Sequence, residues 1–287
     1  MSPGFLRNCL KNIYRWMLPV LFLLTGCSGG LQKAGAVPQT IQIVPLFQFL
    51  TDKNAVNPAQ EEVLNQKSID LTQIQGDMNW WKEIAINQNN LSSRNAALTT
   101  FQAHGISVTE NDLSGTCAES AVAMNINYLN RFYGVGPVNV EDVIRMAGAK
   151  NLIYADGGVS IEGQSVLAKS YGYRVYGRDA KVIGYEGYAL TFADIQTFTG
   201  LGYPVNVSLR ITSSGLNTNN DDVVNHALLV LKTDPLFQTV TYISSAQAGL
   251  ASVENSAITP QQVSYDTFKK AWRIGQNDIG LGFVMYR

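Results

Sequence analysis

Residues 117–134 read CAESAVAMNINYLNRFYG, a run in which Ala121, Met124, Tyr128 and Phe132 recur at helical spacing on one face. Gly134 and Gly136 supply the stop. Upstream, Asn111, Asp112, Leu113, Ser114, Gly115 and Thr116 form a polar loop that feeds the chain into the start of this helix, so Cys117 stands at a helix N-terminus. The free amides there favour a negative group, and a thiol so placed is expected to shift toward its nucleophilic thiolate form.

Outward from this helix, the remaining chain predicts helices first and strands afterwards. Residues 140–149 are opened by Asn139, with Glu141 and Asp142 in the first turn. Residues 160–171 end at Gly172, and residues 191–199 begin with Thr191 and Asp194 at capping-box spacing. Short apolar runs at 204–209, 226–232, 238–244 and 282–286 read as strands, with Asp234 and Pro235 turning the chain between the second and third. The expected class is α+β, an N-terminal helical part followed by an antiparallel sheet. Trp81, Ile84 and Ala85 recur at three and four and are assigned to packing. A thiolate needs a proton partner, and the chain has two histidines. His104, ahead of Gly105, reads as a surface residue, whereas His226 opens the strand that continues Ala227, Leu228, Leu229, Val230 and could aim its imidazole from the strand end into a cleft.

Cys117 with the helix that follows, the phrase Tyr171-Gly172-Tyr173, the run Gly202-Tyr203-Pro204-Val205 and the run from Asn225 and His226 to Val230 together resemble the papain-like cysteine peptidases of the bacteriocin-processing, double-glycine peptidase-like group. The resemblance spans roughly residues 109–242. It implies a papain-like fold with Cys117 as nucleophile and His226, 109 positions later, as general base. Thr116, Cys117, Ala118, Glu119 stand where that group carries Asp, Cys, Gly, Pro. Its oxyanion glutamine has no counterpart, and Asn111 is the amide substitute. The residue that orients the histidine is expected within 243–247, as Gln247 or Ser245. A peptide or protein substrate, cleaved through an acyl-enzyme, follows from the resemblance; a catalytically inactive relative that binds a peptide or protein partner is the alternative.

The N-terminus reads as an export signal. Arg7, Lys11 and Arg15 precede a short apolar run at 17–24, too short to span a bilayer, and Leu24-Thr25-Gly26-Cys27 resembles the lipobox of bacterial lipoproteins. The expected organisation is a signal peptide over 1–26, a lipidated tether and linker over 27–60, and a papain-like domain with an N-terminal extension over 61–287. Cys27 then carries the lipid and anchors the protein to a membrane of the bacterial cell envelope, the outer membrane in a Gram-negative cell given Ser28. Of the three cysteines, Cys9 leaves with the signal and Cys27 is acylated, which leaves Cys117 without a disulfide partner.

The composition sets other functions aside. The mature chain carries 18 basic against 22 acidic residues, a net of −4, with no basic run beyond Lys269-Lys270, so no nucleic-acid partner is expected. Two histidines and one free thiol match no zinc spacing, Gly157-Gly158 lacks the context of a phosphate loop, and Ser160 lacks that of a nucleophile elbow. Asp221 and Asp222, beside Asn217, Asn219 and Asn220, read as a polar loop flanking the cleft. No cofactor or metal is expected, and the sequence sets no oligomeric state.

Overall fold

The computed structural model describes residues 80–106, 115–154, 157–212, 215–216, 224–246, 258–272 and 278–287, all within the compact unit that runs from Leu50 to Arg287. The expected signal peptide, Cys27, the tether, Asn111, Asp221, Asp222 and Gln247 lie outside the described residues.

Helices come first. A 3-10 turn at Trp80–Glu83 precedes α1 (Leu91–Ala103), α2 (Cys117–Tyr133), α3 (Val140–Ala149) and α4 (Ile161–Ser170). Then come β1 (Arg174–Tyr176), β2 (Arg178–Asp179), β3 (Tyr188–Thr191), α5 (Phe192–Gly200), β4 (Val205–Thr212), β5 (Gly215–Leu216), β6 (Val224–Asp234), β7 (Thr239–Ile243), β8 (Gln261–Ser264), α6 (Tyr265–Trp272) and β9 (Ile279–Tyr286). The strands form one sheet in the order β2-β3-β9-β4-β6-β7-β8, with β1 added to β9 and β5 to β4, and every pairing is antiparallel. The molecule is therefore α+β, helices followed by an antiparallel sheet.

The local chemistry sets the boundaries. Ser160 caps α4 by accepting the Gly163 N–H, and Thr191 caps α5 in a capping box with Asp194, whose carboxylate also takes Arg178. Asn139 precedes α3 without a side-chain cap bond. The central helix α2 is buried at every residue from Ala118 to Asn130, packed between the sheet and the helices α3 and α4. Its small residues Ala118, Ala121 and Ala123 allow that close approach. Its asparagines are spent on structure: the Asn127 amide donates to the Val138 carbonyl and its oxygen accepts the Val138 N–H, Asn130 donates to Gly136, and Asn125 donates to Asn206 on β4 at 2.6 Å. The Asn125–Asn206 bond still leaves the Asn125 oxygen and the Asn206 amide nitrogen buried without a partner.

The β9 strand begins three residues earlier than its apolar pattern predicts, because Gly280 lies under the Trp272 ring. A Cβ there would stand 2.4 Å from that ring, which is 1% exposed and held by its indole N–H on the Leu281 carbonyl. Gly280→Ala is expected to cost about 2–3 kcal/mol by overpacking, read as a lower urea midpoint; an unmoved midpoint would mean the indole has room to shift.

Candidate active site

The sheet register brings the two sequence-selected residues to one end of the fold. His226 lies near the start of β6, opposite Leu209 on β4, and α2 packs against both strands with its first residue at that strand end. The Cys117 Sγ accepts the N–H of the peptide that joins His226 to Ala227, at 3.5 Å. The loop at Gly157 closes over the start of α2 so tightly that a Cβ on Gly115 would sit 2.8 Å from the Gly157 carbonyl oxygen. Only glycine fits there.

His226 is 2% exposed, and its Nε2 lies 2.8 Å from the Ser244 hydroxyl. That hydroxyl donates its single proton to the Ala246 carbonyl at 2.7 Å. The Ser244 oxygen must then accept from His226, so the proton sits on Nε2 and the lone pair on Nδ1. A serine thus fixes the tautomer in which Nδ1 is a base.

Ser244 is the residue that sequence reasoning missed, by one position. Ser245, its expected counterpart, instead donates to Gln88 at 2.6 Å, and Gln88 returns its backbone N–H to the Ser245 carbonyl. The chain leaves β7 at Ile243, so the alternation that puts strand residues on opposite faces no longer tells which of 244–247 turns inward. His104 closes α1 and is exposed. Asp234 serves its turn, accepting the N–H groups of Leu236 and Phe237.

The electrostatics reverse one sequence expectation. Burial pushes the Cys117 thiol up to about 11, against the smaller downward pull of the Ala227 N–H, and nearby Glu119 raises it further. The helix N-terminal amides do not offset the loss of water. Burial likewise pushes His226 down to about 4. Glu119, two residues into α2 and wholly buried, is raised to about 8 by desolvation, and neither carboxyl oxygen has a hydrogen-bond partner. At neutral pH, thiol, imidazole and carboxyl all rest uncharged.

A cavity of about 300 Å3 lies elsewhere, lined by Asn87, Asn90, Asn127, Asn139, Glu83 and Glu141. Asn127 is committed to Val138, Asn90 caps α1, and Glu83 pairs with Arg131. Among the described residues no group of three His, Cys, Asp or Glu side chains could hold a metal ion, and no helix is long and apolar enough to cross a membrane.

A scan against protein-family models and a search of the curated proteins each found no match.

Proposed function

We propose that this chain is a papain-like cysteine hydrolase, a lipid-anchored peptidase of the bacterial cell envelope. The observation that carries it is the chain of bonds from the Ala246 carbonyl through Ser244 to His226 Nε2, which orients the imidazole of the residue whose following peptide N–H touches the Cys117 sulfur. In this reading Nδ1 takes the Sγ proton as sulfur attacks the carbonyl carbon of an amide, and the backbone N–H of Cys117 donates to the developing oxyanion. The imidazolium returns the proton to the leaving amine. Water, deprotonated by the same nitrogen, then cleaves the thioester and frees Cys117.

One observation favours a second reading, a peptide-binding lipoprotein that does not cleave. With the thiol raised to about 11 and the imidazole lowered to about 4, the substrate-free site carries a cost for moving the proton between them. A hydrolase recovers that cost when a bound substrate brings dipoles and water to the pair; a binding protein never does. The discriminating experiment incubates the protein and Cys117→Ala with a mixed-sequence fluorogenic peptide library. Cleavage that falls at least about 1,000-fold in the variant supports the hydrolase. Equal retention of peptide by both proteins without cleavage supports the binding reading, and neither cleavage nor retention overturns both.

A further inference from the structure

The same helix-opening signal occurs at two places in the chain. Thr191-Phe192-Ala193-Asp194 leads into α5 and Thr116-Cys117-Ala118-Glu119 into α2, each a threonine followed three positions later by an acidic residue. At α5 the box is made. The Asp194 N–H donates to Thr191 Oγ1 at 3.1 Å, and the Thr191 N–H donates to the Asp194 carboxylate at 2.8 Å. At α2 it is not. Thr116 makes no side-chain cap bond, and its Oγ1 and both Glu119 carboxyl oxygens are buried without a hydrogen-bond partner. One dihedral separates the two ends. Thr191 has φ −83° and ψ 161°, the extended conformation in which an N-cap reaches its helix, whereas Thr116 has φ −86° and ψ 15°.

The residue before Thr116 holds the second box open. Gly115 is pressed on the Gly157 carbonyl, and Gly157 is itself seated on the wholly buried Phe101 ring, 2.9 Å from where a Cβ would stand. The Gly157 side of the contact is therefore fixed in the core. With α2 also fixed there, turning Thr116 to the ψ of Thr191 moves the chain before it, so the made box and the Gly115–Gly157 contact exclude one another. Each arrangement has something the other lacks: the contact packs two backbones together, and the box gives partners to buried oxygens that have none. In the arrangement seen, the contact covers the start of α2, where Cys117 is half-buried with its sulfur desolvated.

We infer that Thr116 and Glu119 are positioning residues for Cys117: closing their capping box draws Gly115 off Gly157, opens the space over the sulfur, and admits substrate in that state alone. The inference rests on the hydrolase reading in naming what enters, a peptide carbonyl. A substrate that fits only the made box binds with an apparent affinity reduced by the fraction of molecules in that state, so variants that cannot make the box raise KM and leave kcat unchanged.

The test alkylates the full chain with iodoacetamide and reads modification at Cys117 by peptide mass, so the opening is seen whether or not any peptide is cleaved. Two pairs of variants are compared, each pair alike in charge. Thr116→Ser and Glu119→Gln retain a box that serine and glutamine can make, and Thr116→Val and Glu119→Met cannot make it. Cys117 is expected to label at least about 5-fold more slowly in the second member of each pair, the factor that a capping interaction of ordinary strength sets. Rates are taken across low urea, where opening of one segment is insensitive to denaturant and global unfolding is not. Gly115→Ala, whose Cβ would meet the Gly157 carbonyl, is expected to label faster than wild type, and Gly115→Ala with Thr116→Val to lose that gain. Equal rates within either pair overturn the inference. So does a Gly115→Ala gain that survives Thr116→Val, which means a loosened segment rather than a made box, and so does labelling that rises with urea as steeply as global unfolding. Peptide cleavage by the same proteins is scored separately: a chain that shows the labelling pattern and cleaves nothing defeats the hydrolase reading and leaves the opening in place.

Discussion

Replacing Glu119 with Met is expected to raise the unfolding free energy, and to raise it by about 3 kcal/mol more at pH 8 than at pH 5. The wild-type carboxyl is wholly buried without a hydrogen-bond partner, and desolvation carries it from 4.5 to about 8. Between those values the native chain holds a proton that the unfolded chain lacks. Unfolding then releases a proton, so stability is full below about pH 4.5 and is lost as pH rises through about 8. The rise from 4.5 to about 8 corresponds to an upper figure of about 5 kcal/mol, reduced by whatever relaxation the ionised group obtains. Met keeps the unbranched shape and helix propensity and removes both the charge and the unpaired polar atoms. Glu119→Gln is the companion variant: it abolishes the pH dependence while retaining buried polar atoms, so its gain at pH 8 is smaller.

His226 titrates in the opposite sense. Its folded value is lowered to about 4 from 6.5, so the unfolded chain binds the extra proton and stability rises with pH across that interval. Because His226 is present in both proteins, the difference between Glu119→Met and wild type isolates the carboxyl. Urea midpoints at pH 5 and pH 8 make the measurement; a gap that does not widen with pH would mean Glu119 is ionised and solvated in the native state.

What could be read from the sequence depended on where the determining interactions lie. Helix α2 and the His226 strand were legible because their apolar spacing and glycine stop are local, and the Thr191–Asp194 pair announced α5 through a motif four residues long. α1 was not read: LSSRNAALTTFQA buries only Ser93, Ala97, Thr100 and Phe101, too sparse a stripe to register. The length of β9 was hidden by Gly280, which looks like a strand breaker until Trp272 is seen to need the space. Glu119 shows the same limit within the site. A glutamate in the first turn of a helix normally faces water and gains from the dipole, and its burial here follows from α2 being enclosed on all sides, a tertiary fact. The helix N-terminus gave the right position for Cys117 and the wrong direction for its acidity, because desolvation outweighed the amides.

Replacing His226 with Ala is expected to lower peptide cleavage by about 1,000-fold or more, the scale of a lost general base. Replacing Ser244 with Ala is expected to cost about 10- to 100-fold, since the base remains and only its orientation is lost. The Ser244 effect separates from simple damage to the fold through three readouts. Without the Ser244 oxygen to take Nε2–H, the proton can move to Nδ1, so kcat falls while KM holds. The pH profile of kcat/KM is the second. On the proposed hydrolase reading, the wild-type acid limb is expected to follow His226 near 4 and the alkaline limb Cys117 near 11, which leaves a plateau across neutral pH. Ser244→Ala keeps the plateau at a lower height, whereas His226→Ala loses the acid limb altogether. The third is rescue: Ser244→Thr keeps the hydroxyl and is expected to recover most of the rate. A Ser244→Ala protein with unchanged kcat would remove Ser244 from the site and with it the argument that Nδ1 is held as the base.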